Sequence, residues 1–205
     1  MLSKALIFII LFTSCASIKK QSNYTEEIAD HRTTYKKGFL EDPRSPLTAD
    51  DLKNLDFYPP DPEWKLSCMC IKADGAKPFE LPTYSGITRT YIVHSKVKCL
   101  YKDKVLEFNL YKNLTQPANP LYKNYLFLPF KDETNSMDTY GGGRYINLYE
   151  TNIQNGKIVI DFNKCYNPWC AYSDGYNCPI PPKENHFVLS VLAGEKNYMG
   201  HYKKK

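Results

Sequence analysis

Three groups of side chains in this 205-residue chain could do chemistry. The first is Arg144, which directly follows Gly141-Gly142-Gly143. A guanidinium next to flexible backbone is a rigid, forked cation suited to a carboxylate or phosphate, and a buried one pairs just as readily with a structural carboxylate. The glycine run is not a P-loop: the terminal Gly-Lys-Ser/Thr is missing, and the residues after it read as a strand rather than a helix.

The second group is Asp161, Asn163, Asn167 and Asn185, set in the stretch DFNKCYNPWCAYSDGYNCPIPPKEN at 161–185. Asparagine amides donate and accept without charge, so they either pin the backbone of their own loop or orient a small anionic or sugar-like ligand. Tyr166, Trp169, Tyr172 and Tyr176 in the same stretch could stack on sugar faces or cover a core. Arg144, Asn163, Asn167 and Asn185 are therefore the expected ligand-binding set. The third group is Glu184 and Glu195, with Asp161 beside them, the candidates for acid and base in hydrolysis by paired carboxylates. A Ser-His-Asp triad is poorly supported, since the histidines are His31, His94, His186 and His201 and no Gly-x-Ser-x-Gly elbow occurs.

The cysteines divide by position. Cys15 closes an N-terminal apolar run, and Cys68, Cys70, Cys99, Cys165, Cys170 and Cys178 remain. An even count in an exported chain permits disulfides. Cys170 and Cys178 flank a loop poor in core residues, and bridging them would stabilise it by about 2–4 kcal/mol. Cys68 and Cys70 share one face of a strand and read as core, with Cys99 the mate for one of them if either is bridged. A zinc knuckle offers closer ligand pairs than gaps of four and seven, so no metal is assigned. A Cys nucleophile activated by His186 has only closeness in sequence behind it. No motif calls for a cofactor.

These residues must be held by something. Ile28, His31, Tyr35 and Phe39 fall at helical spacing, Thr25 can cap, Glu26, Glu27 and Asp30 lie in the early turns and Lys36 and Lys37 late, which predicts a helix over 24–40. Pro43 and Pro46 stop it, a short helix follows at 48–55, and Tyr58-Pro59-Pro60-Asp61-Pro62 ends that in an extended turn. From Trp64 the period becomes two. Tyr91, Val93, Val97 and Cys99 alternate with Ile92, His94, Lys96 and Lys98, a turn sits at 101–104, and Leu106, Phe108 and Leu110 alternate with Glu107, Asn109 and Tyr111, which predicts a hairpin with one wet face. Further strands are expected at 64–71, 125–130, 144–149, 157–162 and 187–193. Asn155-Gly156 is a strong turn signal between the runs at 146–148 and 158–160. The expected fold is α+β, mainly antiparallel β, a sandwich or partly open barrel of about seven strands with N-terminal helices.

The N-terminus MLSKALIFIILFTSC has a basic residue, an apolar run too short to span a bilayer, and small residues before Cys15. Phe12-Thr13-Ser14-Cys15 resembles a bacterial lipobox with Phe12 in the usual Leu position, and cleavage after Ala16 with plain secretion is the rival. The expected organisation is a signal peptide at 1–14, a lipidated tether at 15–23, one β-rich domain at 24–200 and a basic tail at 201–205. The partner implied is a membrane, reached through the lipid on Cys15. The net charge of +5 is not a nucleic-acid signal. Without Lys4, Lys19, Lys20 and Lys203–Lys205, 21 of the 27 basic residues remain against 22 acidic ones, leaving no basic excess for a nucleic-acid face.

The motifs also carry a resemblance. His31-Arg32, Asp42-Pro43-x-Ser45-Pro46-Leu47, Phe57-Tyr58-Pro59-Pro60-Asp61, Pro82-Thr83-x-x-Gly86-x-x-Arg89-x-Tyr91 and Pro129-Phe130-x-Asp132-x-Thr134 precede the most distinctive part. That part comprises Thr139-Tyr140-Gly141-Gly142-Gly143-Arg144-Tyr145, Asp161-Phe162-Asn163, Tyr166-Asn167-Pro168-x-Cys170-Ala171-Tyr172, Cys178-Pro179-x-Pro181-Pro182-x-Glu184-Asn185 and Ala193-Gly194-Glu195-Lys196. Over most of its length the chain resembles the bacterial family catalogued as domain of unknown function 1684. Ser136 stands where that pattern often has Gly, Asn147 where it often has Asp, and Cys165 where a small apolar residue is usual. The resemblance implies a shared fold and supplies no biochemical activity.

Overall fold

The computed structural model describes residues 10–115 and 122–204, with side chains from Asn23 onward; most of the expected signal peptide, residues 1–9, and the Cys15 side chain lie outside these. One helix, α1 (Ile10–Glu41), precedes seven strands: β1 (Lys65–Lys72), β2 (Phe79–Pro82), β3 (Thr88–Tyr101), β4 (Lys104–Asn113), β5 (Tyr125–Phe130), β6 (Arg144–Tyr149) and β7 (Lys157–Asp161). The helix begins earlier than its apolar period, running back through the segment read as a tether. No Gly or Pro interrupts 10–37, so nothing in the backbone stops it there. The short helix expected at 48–55 is a single 3-10 turn, Asp51–Asn54. No helix among the described residues is long and apolar enough to cross a membrane.

The strands form one curled, half-barrel sheet in the order β6-β5-β4-β3-β1-β7, with β2 pairing the first part of β3, all antiparallel. The fold is thus mainly antiparallel β with an N-terminal helix. The expected hairpin of β3 and β4 is present, but it does not have one wet face. Between Val93 and Ser95 the register slips by one residue. Before the slip Tyr91 packs in a cluster with Leu81, Tyr111, Phe127 and Tyr145, whereas after it Val97 and Cys99 point into the main core with Leu106, Phe108 and Leu110. A bulge inserts one residue against the period of two, so a single odd-numbered apolar series serves both faces of the sheet.

Asn155 and Gly156 both take positive φ (50° and 70°), the geometry of a tight I′-type turn. The runs on either side do not pair, however: β6 pairs β5 and β7 pairs β1, at opposite ends of the sheet. The turn joins only Gln154 to Lys157, because the 3-10 turn Glu150–Asn152 has already redirected the chain. In the glycine run only Gly143 has positive φ (91°), and a Cβ there would come within 2.5 Å of the Phe130 carbonyl oxygen. Ser136 also takes positive φ (67°).

Residues 187–193 alternate buried and exposed as a strand would, yet form no strand. Phe187, Leu189, Val191 and Ala193 fill the main core. The carbonyls of Val191, Ala193 and Glu195 accept instead from the Arg144 guanidinium, at 2.9, 2.5 and 3.2 Å. Arg144 also donates to Asp132 Oδ2 at 2.8 Å, both side chains are fully buried, and Asp132 Oδ1 accepts from the Val191 N–H. Phe187 and Leu189 still bond the backbone of Lys131 and Glu133, and from Val191 on one cation takes over that role.

Two disulfides staple this frame. Cys68–Cys99 joins β1 to β3 across 31 residues, and Cys170–Cys178 closes the expected loop, while Cys70 and Cys165 are free and buried. The tail is docked rather than solvated at Lys203, whose backbone bridges to Ser173 and whose ammonium meets Asp51. Replacing Arg144 by Met would strand Asp132 and three buried carbonyls. Urea unfolding should show a loss of about 3–5 kcal/mol; a loss below about 1 kcal/mol would show that the pair does not hold this segment.

Candidate functional site

The sheet stops at two edges, β6 and β7, and a cleft of about 1070 Å³ opens between them. Consecutive residues 146–149 from one edge and 157–159 from the other line it. Successive strand residues point to opposite faces, so the walls are strand edges rather than one pleated face. His31, Thr34, Tyr35 and Gly38 of α1 contribute another wall, and Lys164 and Tyr166 complete it.

The helix reaches this position through polar anchors. Tyr24 Oη donates to Asp161 Oδ1 at 2.9 Å, and Glu27 receives Lys65 at 2.8 Å and Lys164 at 2.6 Å. Arg32 donates to the Tyr58 carbonyl at 2.7 Å. Tyr35 and Phe39 pack with Leu47, Leu55, Phe57, Trp169 and Tyr172 in a separate aromatic cluster. Burial, opposed by Asp161 nearby, holds the His31 imidazole below its ordinary pKa, so it is neutral near pH 7.

Asp161 is the expected site residue that lines the cleft. Its Oδ1 is saturated by Tyr24 and by the backbone and side chain of Asn163. Its Oδ2 is buried without a hydrogen-bond partner, with the Lys164 ammonium at 3.8 Å. Across the cleft, Asn147 Oδ1 accepts from Tyr125 at 2.6 Å and from Tyr166 at 2.5 Å.

The other expected residues are placed elsewhere. Arg144 is inside the core, with four of its five N–H groups engaged as described. The asparagines bond backbone. Asn163 clamps both backbone groups of Asp61 (2.9 and 2.8 Å). Asn185 does the same to Asn109 (2.8 and 3.0 Å) and also donates to the Pro129 carbonyl at 2.8 Å. It therefore splices β4 to β5, which share only the Tyr111–Phe127 pairing. Asn167 donates to the Lys196 carbonyl at 2.7 Å. Glu184 is exposed on the 3-10 turn Lys183–Asn185, and Glu195 is fully buried behind Tyr35, so neither faces the cleft. Asp161 is the sole acid among the lining residues, and the acid–base pairing of Glu184 with Glu195 finds no shared cavity. Cys170 and Cys178, being bridged, are neither ligands nor nucleophiles.

Of the lining residues, Tyr166 is expected for stacking, whereas His31, Tyr35, Asn147 and Lys164 were not expected at a site. His31 carried a signal as a polar residue on the apolar stripe of its helix and in the His31-Arg32 pair, and Asn147 only as a departure from the expected pattern.

Glu195 forms a closed ring with two tyrosines. Tyr172 Oη lies 2.7 Å from Oε1, Tyr35 Oη 2.9 Å from Oε2, and the two hydroxyls are 3.0 Å apart. The Asn167 N–H also donates to Oε2 at 2.8 Å. Burial raises the carboxyl to about 7, against these donors, which favour the charged form. Protonated, Glu195 can donate to Tyr172, Tyr172 to Tyr35, and Tyr35 back to Glu195, so every group stays satisfied. A carboxyl whose folded pKa exceeds its unfolded value stabilises below the unfolded value, and that stability is lost as pH rises toward the folded one. Between about pH 4.5 and 7 the protein should therefore lose about 2–4 kcal/mol from this group. Glu195→Gln preserves the ring and should flatten that slope in denaturation series at pH 5 and pH 8. An unchanged slope would mean that Glu195 is charged throughout.

No curated protein matches the chain. Among solved structures it is similar to the solution NMR structure of an uncharacterised protein from gene locus rrnAC0354 of Haloarcula marismortui. The identity is 26% and the TM-score 0.67, over 89% of this chain and 99% of that one. Residues 50–196, which hold the whole sheet, the Arg144 core and the asparagine brace, match the family described as protein of unknown function (DUF1684). The chain belongs to that family.

Proposed function

We propose that this is an exported binding protein of the cell envelope, tethered by lipid on Cys15, that holds a small polar molecule in the cleft between β6 and β7. The observation that carries the binding reading is Asp161 Oδ2: a buried carboxylate oxygen left without a hydrogen-bond donor, on a residue that lines the cleft. Such an oxygen is costly to bury unmet, and a small turn of the Asp161 carboxyl toward the cleft would open it to a ligand hydroxyl or amine. Two disulfides fit an oxidising compartment. The N-terminal segment fits export, and several acyl chains on one Cys would anchor the protein without a spanning helix. Binding fits better than hydrolysis by paired carboxylates, because that chemistry needs a second acid facing the cleft.

A second reading, a scaffolding lipoprotein without a ligand, draws on the asparagine amides bonded to backbone. They make the 161–185 loop a brace under either reading, so the orphaned oxygen is the feature that separates the two.

Asp161→Asn keeps an oxygen for Tyr24 and Asn163 and replaces the orphaned acceptor with a donor. In a protein-observed NMR screen of small polar metabolites, hits should shift His31, Asn147 and Tyr166 in the native protein. The same hits should bind at least tenfold more weakly to the variant, with the melting temperature within a few degrees. Hits that map elsewhere, or none, would favour the scaffold. In cells, Cys15→Ser should move the protein from the membrane to the soluble fraction; a protein soluble with Cys15 intact would point to plain secretion after Ala16.

A further inference from the structure

Resting on the cleft as the binding site, the geometry points to its ligand class: an uncharged, hydroxyl-bearing molecule of the sugar or polyol type, with Asn147 as the residue that sets this preference. Asn147 lies on the β6 edge, and its carbonyl oxygen takes hydroxyl protons from both Tyr125 and Tyr166. An amide oxygen has two lone pairs, so both are used and the amide plane is fixed. What Asn147 has left to offer is its NH₂, a pure donor. On the other side Asp161 Oδ2 is a pure acceptor, closed to water as it stands and reached by a ligand once the carboxyl turns toward the cleft. A hydroxyl group is the common functional group that satisfies either, since it donates and accepts.

Of the three lysines that line the cleft, only Lys157 lacks a carboxylate partner among the described residues. Lys65 and Lys164 both place their ammonium groups on Glu27 rather than in the cavity, and the nearest further contact of Lys164 is Asp161 itself. An anionic ligand near Asp161 would meet a buried like charge, which is a strongly unfavourable arrangement. Tyr35, Tyr149 and Tyr166 provide rings along the cleft of the kind that pack on pyranose faces.

Asn147→Asp tests this directly. A carboxylate oxygen still receives both tyrosine hydroxyls, so the fold has no reason to change, while the donor into the cleft becomes an acceptor. NMR titrations would use methyl glycosides of neutral hexoses and their C6-carboxylate counterparts as probes. The native protein should bind at least one neutral glycoside at the cleft at least tenfold more tightly than its acid counterpart. Asn147→Asp should weaken that binding tenfold or more, and Asn147→Ala, which removes the amide without adding charge, should weaken it in the same direction. Equal or tighter binding of the acids, unchanged affinity in both variants, or no cleft response to any neutral glycoside would overturn the assignment. If the metabolite screen nevertheless gives charged hits at the cleft, the binding site stands and only its ligand class falls; if it gives none, the site itself falls.

Discussion

A single buried ion pair governs how this chain can fold. Arg144 and Asp132 sit in the core with no access to water, where an unpaired charge is prohibitive and a paired one is tolerated only if its remaining hydrogen bonds are met. All but the Nε–H are met, by the carbonyls of Val191, Ala193 and Glu195 together with Asp132, where the C-terminal segment has left its backbone partners Lys131 and Glu133. Each party needs the other: the segment brings apolar side chains that fill the half-barrel, and the guanidinium satisfies the backbone that comes with them. Gly143 lets β6 begin close enough to Phe130 for Arg144 to reach, since a side chain there would strike the Phe130 carbonyl.

The asparagines follow the same logic at the periphery. Asn163 and Asn185 each present an amide to both backbone groups of a distant residue, reproducing the donor–acceptor pair that a neighbouring strand would offer. Because the 161–185 loop is held by such side-chain mimicry and by the Cys170–Cys178 bridge, the sheet need not close to be stable. It ends at two edges, and α1 is carried across the gap by Tyr24, Glu27, Arg32 and Tyr35. The cleft is the consequence. Its polar features are few: one orphaned carboxylate oxygen, one amide locked by two tyrosines, and a neutral histidine.

The Glu195 ring links this cleft to the core. Tyr35 lines the cavity on one side and bonds the buried carboxyl on the other, while the Glu195 backbone carbonyl accepts from Arg144. Two buried acidic side chains, Glu195 and Asp132, thus hold the same C-terminal segment by opposite means. One does so by keeping its proton to higher pH, the other by meeting a cation.

Much of the frame was legible from residue pattern alone. The period of two located six of the seven strands, two of them, 125–130 and 144–149, to the residue. The Asn155-Gly156 turn, the disulfide loop and the core of the first helix could be read as well, because these signals are local: side-chain alternation, φ preference and helical spacing act over a few residues. What the tertiary structure decided is everything that depends on which groups meet. The odd-numbered series in β3 reads as one face until a bulge, invisible in the sequence, turns it to two. Residues 187–193 read as a strand, yet only Phe187 and Leu189 bond a neighbouring backbone before Arg144 takes the carbonyls of Val191 and Ala193. Arg144 and the asparagines read as ligand groups because a sequence states what a side chain can bond, not what is already bonded to it. Conversely, Asp161 and Asn147 came to line one cleft only when the sheet stopped short of closing, since burial and separation across a cleft are properties of distant segments brought together.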